Sequence, residues 1–288
     1  MNIPSLTTSV GRMNRLRVVK KLSFGVYLDG KDQDEILLPI RYVPDSCEVD
    51  DFLDVFIYLD SEDRLVATTE TPLAMAGELA YLRVVAVNKV GAFLDWGLPK
   101  DLLVPFGEQR EGLTKDRSYI VYVYFDKTSQ RLVASTKLHK YINPKSIRYK
   151  PGNKVDLIVG SAFELGWQVI IDKRFVGVIY RNEVFQPVRE GDALVGYIKQ
   201  VRPDGKIDVE LQKSGLYGRD ALAEEILVQL KAAGGFLAVT DRSPPEEIQD
   251  RFKASKKAYK RAVGGLYKRR LITLEDGGIR FIGAGTHG

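Results

Sequence analysis

The chain of 288 residues has a formal net charge of +5, with 44% hydrophobic and 28% charged residues, an ordinary globular composition with a basic lean. A single cysteine, Cys47, excludes an intrachain disulfide and points to a reducing compartment. No stretch of about 20 apolar residues occurs and residues 1–20 hold no continuous apolar run, so neither a spanning helix nor a secretory leader is expected, and a cytoplasmic protein is.

From the N-terminus the chain spells one unit twice. LRVV at 16–19 returns as LRVV at 82–85, Gly25 as Gly91, Leu28-Asp29 as Leu94-Asp95, LLP at 37–39 as LVP at 103–105, and RLVATT at 64–69 as RLVAST at 131–136. The register slips once, by a single residue between Asp126 and Arg131, where a hairpin tip tolerates an insertion. Within each unit the apolar residues alternate or cluster in short runs bounded by turn residues, which predicts strands. Val18, Val26, Leu28, Ala92 and Leu94 fall in the interior phase, and Arg17, Tyr27 and Phe93 in the outward one. Several short strands at this spacing predict a small antiparallel barrel or sandwich.

A divergent third unit is expected over about 149–212. PGNKVDLIV at 151–159, Gly166 followed by WQVII, GVIY at 177–180, VREGDALVGYIKQV at 188–201 and KIDVEL at 206–211 repeat the order of strand, turn and hairpin. The connections TPLA (71–74) and NPKSIRYKP (143–151) are short, so touching barrels are expected.

The glycine between two apolar strands with an aromatic two residues on (GVYL, GAFL), the later LLP or LVP, and the closing Arg-Leu-Val-Ala-Ser/Thr resemble the S1 domain, a five-stranded oligonucleotide-binding (OB-fold) barrel. The resemblance implies contact with single-stranded RNA through Phe24, Tyr27 and Arg64 in the first copy and Phe93 and Arg131 in the second. Val90 stands where an aromatic precedes the glycine, Leu165 and Gln168 take the corresponding places in the third copy, and the family's histidine is Pro39, Pro105 and Tyr180. A flat ring is what stacks on a base, so the first copy is ranked the best preserved site and the third a structural one. Packing by these aromatics and solvation of the hairpin arginines are the plainer alternatives.

Beyond Tyr217 the period changes. ALAEEILVQLKAAGG (221–235), with Leu222, Ile226, Leu227 and Leu230 at helical spacing, predicts a helix stopped at Gly234-Gly235; PPEEIQDRF (244–252) predicts a short one. SKKAYKRAVGGLYKRR (255–270) predicts a third helix capped by Ser255, with Ala258, Tyr259, Ala262, Val263 and Leu266 on one side and Lys257, Lys260, Arg261 and Lys268 on the other. LITLE and IRFI flank Asp276-Gly277-Gly278, a hairpin signal. Three helices and a hairpin resemble a winged-helix domain, with the basic helix in the recognition position, facing nucleic acid or docking on a protein surface; the acidic run at 45–63 is one such surface.

The combination, and KRAVGGLYKRRLI at 260–272 within it, resembles the conserved virulence factor B (CvfB) family of bacterial RNA-binding proteins, which influence gene expression after transcription. The expected architecture is multidomain and mainly β: three tandem S1-like OB-fold barrels over 1–71, 72–143 and 144–213, then a C-terminal winged-helix α+β domain over 214–288. A noncatalytic post-transcriptional regulator with single-stranded RNA as partner is expected, with no cofactor, metal, membrane or small-molecule substrate and with duplex nucleic acid or a protein as a second partner at the winged helix. His139, His287 and Cys47 form no catalytic or metal spacing, GAG at 283–285 is no phosphate loop, and the acidic run reads as loop plus strand. A DNA-binding transcription regulator and a ribosome or protein-machine assembly factor are the other readings; RNA sequence preference, regulated transcripts, RNA binding by the third barrel and oligomeric state are open.

Overall fold

The computed structural model describes residues 8–60, 62–184, 186–211, 217–252 and 254–282, with the backbone alone for 217–221. The expected boundary at 213/214, the 283–285 triplet and His287 lie outside the described residues. The chain divides into two compact units, Met1–Asn143 with Ile170–Phe175, and Pro144–Val169 with Val176–Gly288.

Period-two apolar runs become three closed five-stranded barrels. The first comprises β1 (Met13–Leu22), β2 (Gly25–Leu28), β3 (Ile36–Pro39), β4 (Phe52–Leu59) and β5 (Leu65–Thr68), in the order β1-β2-β3-β5-β4, with β1 pairing β4 to close the ring. The second repeats that circuit with β6 (Leu79–Asn88), β7 (Gly91–Asp95), β8 (Leu102–Pro105), β9 (Ser118–Asp126) and β10 (Arg131–Ser135). The third does so with β11 (Lys154–Phe163), β12 (Gly166–Ile171), β13 (Phe175–Tyr180), β14 (Ala193–Val201) and β15 (Ile207–Glu210). In each, the third strand runs parallel to the last: Leu37 faces Val66, Leu103 faces Val133, and Gly177 faces Ile207. β1 slips register between Val18 and Lys20 and β6 between Val84 and Ala86, the same place in the repeat. Such a bulge lets one long strand bend and pair on both sides of a small barrel.

The interior phases are as the alternation predicts. Val18, Val26, Leu28, Ala92 and Leu94 are fully buried, while Arg17, Tyr27 and Phe93 stand in the outer layer. A second aromatic strip lies on the fourth strand. Phe56 packs edge-on against Trp96 at 5.8 Å and stacks with Tyr58, so that both, with Val66, join the core of the second barrel, while the first barrel keeps its own core around Val18, Val26 and Leu28. The equivalent Tyr122 and Tyr124 are covered by Tyr141, at 4.5 and 4.9 Å, which pins the connection leaving the second barrel.

The 3.6-residue pattern gives α1 (Tyr217–Ala232), α2 (Pro245–Phe252) and α3 (Lys256–Lys268), followed by β17 (Ile272–Glu275) and β18 (Gly278–Phe281). The sheet has a third strand beyond the expected hairpin: β16 (Phe236–Leu237) pairs β18 through Arg280 and Ile279. Ser255 caps α3, its Oγ accepting from the Ala258 N–H at 3.1 Å, and satisfies a donor the first helical turn leaves free. Tyr259, Ala262, Val263 and Leu266 of α3 are buried against Ile226 and Leu230 of α1 and Ile248 and Phe252 of α2. The buried Tyr259 hydroxyl donates to the Val239 carbonyl at 3.1 Å.

Gly25 and Gly91 both have φ of 155°, and a Cβ at either would stand 2.3 or 2.2 Å from the carbonyl oxygen of Leu38 or Val104. Gly25→Ala and Gly91→Ala should each lower stability by about 1–3 kcal/mol from backbone strain alone, more with the steric contact. Thermal and denaturant melts of the two variants check this.

Candidate nucleic-acid interface

In the first barrel the tight pairing of Gly25 with Pro39 turns the preceding residue outward. Phe24 is 51% exposed and meets Tyr27 edge-on, ring centroids 6.3 Å apart; Lys20 on β1, opposite Tyr27, holds its ammonium 5.7 Å from the Tyr27 ring. Two rings at right angles with a cation over one of them form a surface that offers a face to a base and a charge to a phosphate. Ile40, exposed directly across from Phe24, donates its N–H to the Phe24 carbonyl at 2.9 Å. Arg64 is engaged elsewhere: its guanidinium makes two bonds to Asp60, at 3.0 and 2.7 Å, and an ion pair with Glu62 at 2.9 Å, all within its own hairpin.

The second barrel distributes its aromatics differently. Gly91 pairs with Pro105 as Gly25 pairs with Pro39, which sets Val90 and Phe106 at the places of Phe24 and Ile40. Phe106 is 52% exposed. The ring absent before the glycine is thus present on the neighbouring strand's exit, a position sequence reasoning passed over because the S1 pattern follows one strand and the compensation lies across the pair. Phe93 and Arg131 line a common cleft of about 150 Å³ with Tyr58 and Leu59 of the first barrel and Lys100 and Asp101 of the second. Arg131 donates to Asp63 of the first barrel, and Lys100 reaches the same carboxylate at 3.4 Å as well as the Asp60 carbonyl. Burial pushes the phenol of Tyr58, one of the cleft's lining residues, up to about 12.

In the third barrel Leu165 is exposed, as is Gln168, so the two positions ranked as structural present no ring. One residue away, Trp167 takes the place of the fully buried Val26 and Ala92 and lies half-exposed beneath the Arg181 guanidinium, 4.7 Å from its ring. Arg202 bonds the buried Asp208 and the Tyr180 hydroxyl, fixing the strand end where the S1 histidine would stand.

On α3, Lys257, Lys260, Arg261 and Lys268 are all exposed on the side opposite the buried stripe. Lys260 pairs with Asp241 at 3.5 Å, both groups open to solvent, while Lys257, Arg261 and Lys268 have no ion-pair partner among the described residues. Tyr267 is exposed beside them. Of the acidic run's carboxylates, Glu48 pairs with Lys21, Asp50 with Arg17, Asp54 with Arg15 and Asp60 with Arg64, all within the first barrel, while Asp63 pairs with Arg131 and Lys100 of the second. Among the described residues no group of three or more His, Cys, Asp or Glu is arranged to hold a metal, and no helix is long and apolar enough to cross a membrane.

Comparison with known proteins joins these surfaces to a lineage. The S1 domain model matches residues 10–70 and 76–137, and the CvfB-like winged helix domain model matches 224–281. YitL of Bacillus subtilis is 30% identical over 275 residues, covering 93% of this chain and 92% of its own. The chain belongs to the conserved virulence factor B family. Conserved virulence factor B of Staphylococcus aureus strain USA300 is 26% identical over 288 residues, covering 94% of this chain and 93% of that one. A crystal structure of a multidomain protein with nucleic acid binding domains from Streptococcus pneumoniae aligns over 95% of this chain and 98% of its own, at 23% identity and a TM-score of 0.42. The chain therefore carries nucleic-acid-binding S1 and winged-helix domains of the CvfB kind.

The hydrogen bond from Arg131, then that from Lys100, holds the Asp63 carboxyl below its ordinary value of 3.8. A depressed folded-state value means that the stability from this inter-barrel contact is complete above the unfolded value and declines as pH falls through the folded one. Asp63→Asn should therefore melt with a flatter dependence on pH below about 4 than the parent, as scanning calorimetry across the acid range would show.

Proposed function

We propose that this protein is a noncatalytic RNA-binding regulator acting after transcription, which holds single-stranded RNA on the outer faces of its S1-like barrels. The exposed Phe24–Tyr27 pair with Lys20 over it carries the reading. A ring more than half exposed in the turn entering a strand does little for the core, and a second ring set at right angles to it with a cation alongside matches unpaired bases joined by phosphates. Phe93 and Phe106 extend the same surface in the second barrel. Arg64 and Arg131 act on RNA from the hairpins to the extent that their carboxylate partners release them. Lys257, Lys260, Arg261 and Lys268 of α3 supply a second, phosphate-neutralising surface. The regulatory role rests on the family and the cytoplasmic setting on the single cysteine, and the domain limits follow the repeat at 71/72 and 143/144 and the change of period at 213/214.

Replacement of the stacking residues by Leu keeps apolar bulk and removes the flat face. Tyr27→Leu and Phe93→Leu should each weaken binding of a single-stranded RNA by about 1–3 kcal/mol per base no longer stacked, with melting unchanged. Phe24→Leu and Phe106→Leu, on opposite strands of their respective barrels, should weaken it alike. Fluorescence anisotropy with thermal melts on the same samples makes the comparison; variants that melt and bind like the parent would assign these rings to packing. Neutralising Lys257, Lys260, Arg261 and Lys268 together should also flatten the salt dependence of binding, by about 0.7 in slope for each phosphate that is no longer neutralised. An unchanged slope would place α3 against a protein instead.

A further inference from the structure

We propose that the cleft between the first two barrels is a pocket for one pyrimidine base of the bound strand, with Phe93 as its stacking wall and Asp101 as acceptor for the base's Watson–Crick edge. The proposal rests on the reading of these barrels as an RNA surface and adds a preference to it. The cleft measures about 150 Å³ and is walled by Leu59 from one barrel and Phe93, Leu103 and Leu132 from the other. An apolar space of about that volume takes a single six-membered ring such as benzene, which is the size of a pyrimidine and smaller than a fused purine.

The walls are already in place. Trp96, at the floor, donates its indole N–H to the Lys100 carbonyl at 2.6 Å and packs against Phe56 of the first barrel. Lys100 and Arg131, which line the cleft, both bind Asp63 of the first barrel. A preformed space loses little conformational entropy when a ring enters it.

The polar groups at the mouth are not equivalent. Both cations are turned to Asp63, whereas Asp101 has no hydrogen-bond or ion-pair partner among the described residues. Asp101 is open to solvent at this edge of the cleft, and partial desolvation, then the charge of Asp95, push its carboxyl up. Cytosine brings a donor in its N4 amino group and uracil in its N3–H, on an edge that a single-stranded base presents unpaired; adenine carries an N6 amino donor too, so the discrimination lies in the size of the cleft, which keeps a fused ring from reaching Asp101.

The test uses the full chain and labelled oligo(U), oligo(C) and oligo(A) of equal length at one salt concentration. The pyrimidine oligomers should bind about tenfold more tightly than oligo(A), the effect of one hydrogen bond to a charged group. Strand flexibility alone also favours pyrimidine runs, so the deciding arm is Asp101→Ala, which should erase the preference while melting like the parent. Equal or tighter binding of oligo(A), or a preference that survives in Asp101→Ala, overturns the pocket and leaves the RNA reading standing. Failure of every oligomer to bind overturns both.

Discussion

Where the second strand of each barrel meets the third there is no room for a side chain. A Cβ on Gly25, Gly91 or Gly166 would stand 2.3, 2.2 or 2.0 Å from a carbonyl oxygen of the neighbouring strand. Because the backbones approach this closely, the residue before the glycine and the residue entering opposite it are both pushed to the surface, joined by an N–H to carbonyl bond of 2.9 Å from Ile40 to Phe24 and from Arg181 to Leu165. One backbone constraint thus presents a cross-strand pair at the same spot on every barrel, and the chain varies only its chemistry: Phe24 with Ile40, Val90 with Phe106, Leu165 with Arg181. The surface read as an RNA contact follows from that geometry, and the difference between barrels from which member of the pair carries a ring.

A second repeated strip serves assembly. Phe56 and Tyr58, like Tyr122 and Tyr124, face outward from the fourth strand, and each pair is covered by whatever follows in the chain, Trp96 in one case and Tyr141 in the other. Aromatic side chains bury 150–250 Å² each, whereas exposed ion pairs contribute about 0–1 kcal/mol. The joint between the first two barrels is therefore held by its apolar contact, and Asp63 with Arg131 and Lys100 sets the register of one barrel on the other. The cleft beside Phe93 lies at that joint, lined from both barrels.

Much of this was legible in the sequence because it depends on local periodicity. The repeat forecast matching barrels, the alternation placed Val26 and Leu28 inside and Tyr27 outside, and Ser255 before an amphipathic run forecast the cap of α3. What was not legible depends on contacts between distant segments. β16 is two residues long and shows no alternation. Phe106 compensates for Val90 across a strand pair, which a motif read along one strand does not register. The partner of Arg131 is Asp63, in a different copy of the repeat, so the arginine that the S1 pattern marks for RNA is also part of an inter-barrel ion pair.

The central claim, that the barrels take unpaired bases on exposed rings, is tested most directly by titrating the full chain side by side against single-stranded RNA, single-stranded DNA and duplex DNA of matched sequence at two salt concentrations. Rings that stack on free bases predict that single-stranded RNA binds most tightly and keeps its advantage over duplex DNA at the higher salt, because stacking, unlike phosphate neutralisation, is not weakened by counterions. Duplex DNA binding as tightly as single-stranded RNA, or more so, at both concentrations would contradict the account and give the nucleic-acid contact to the winged helix.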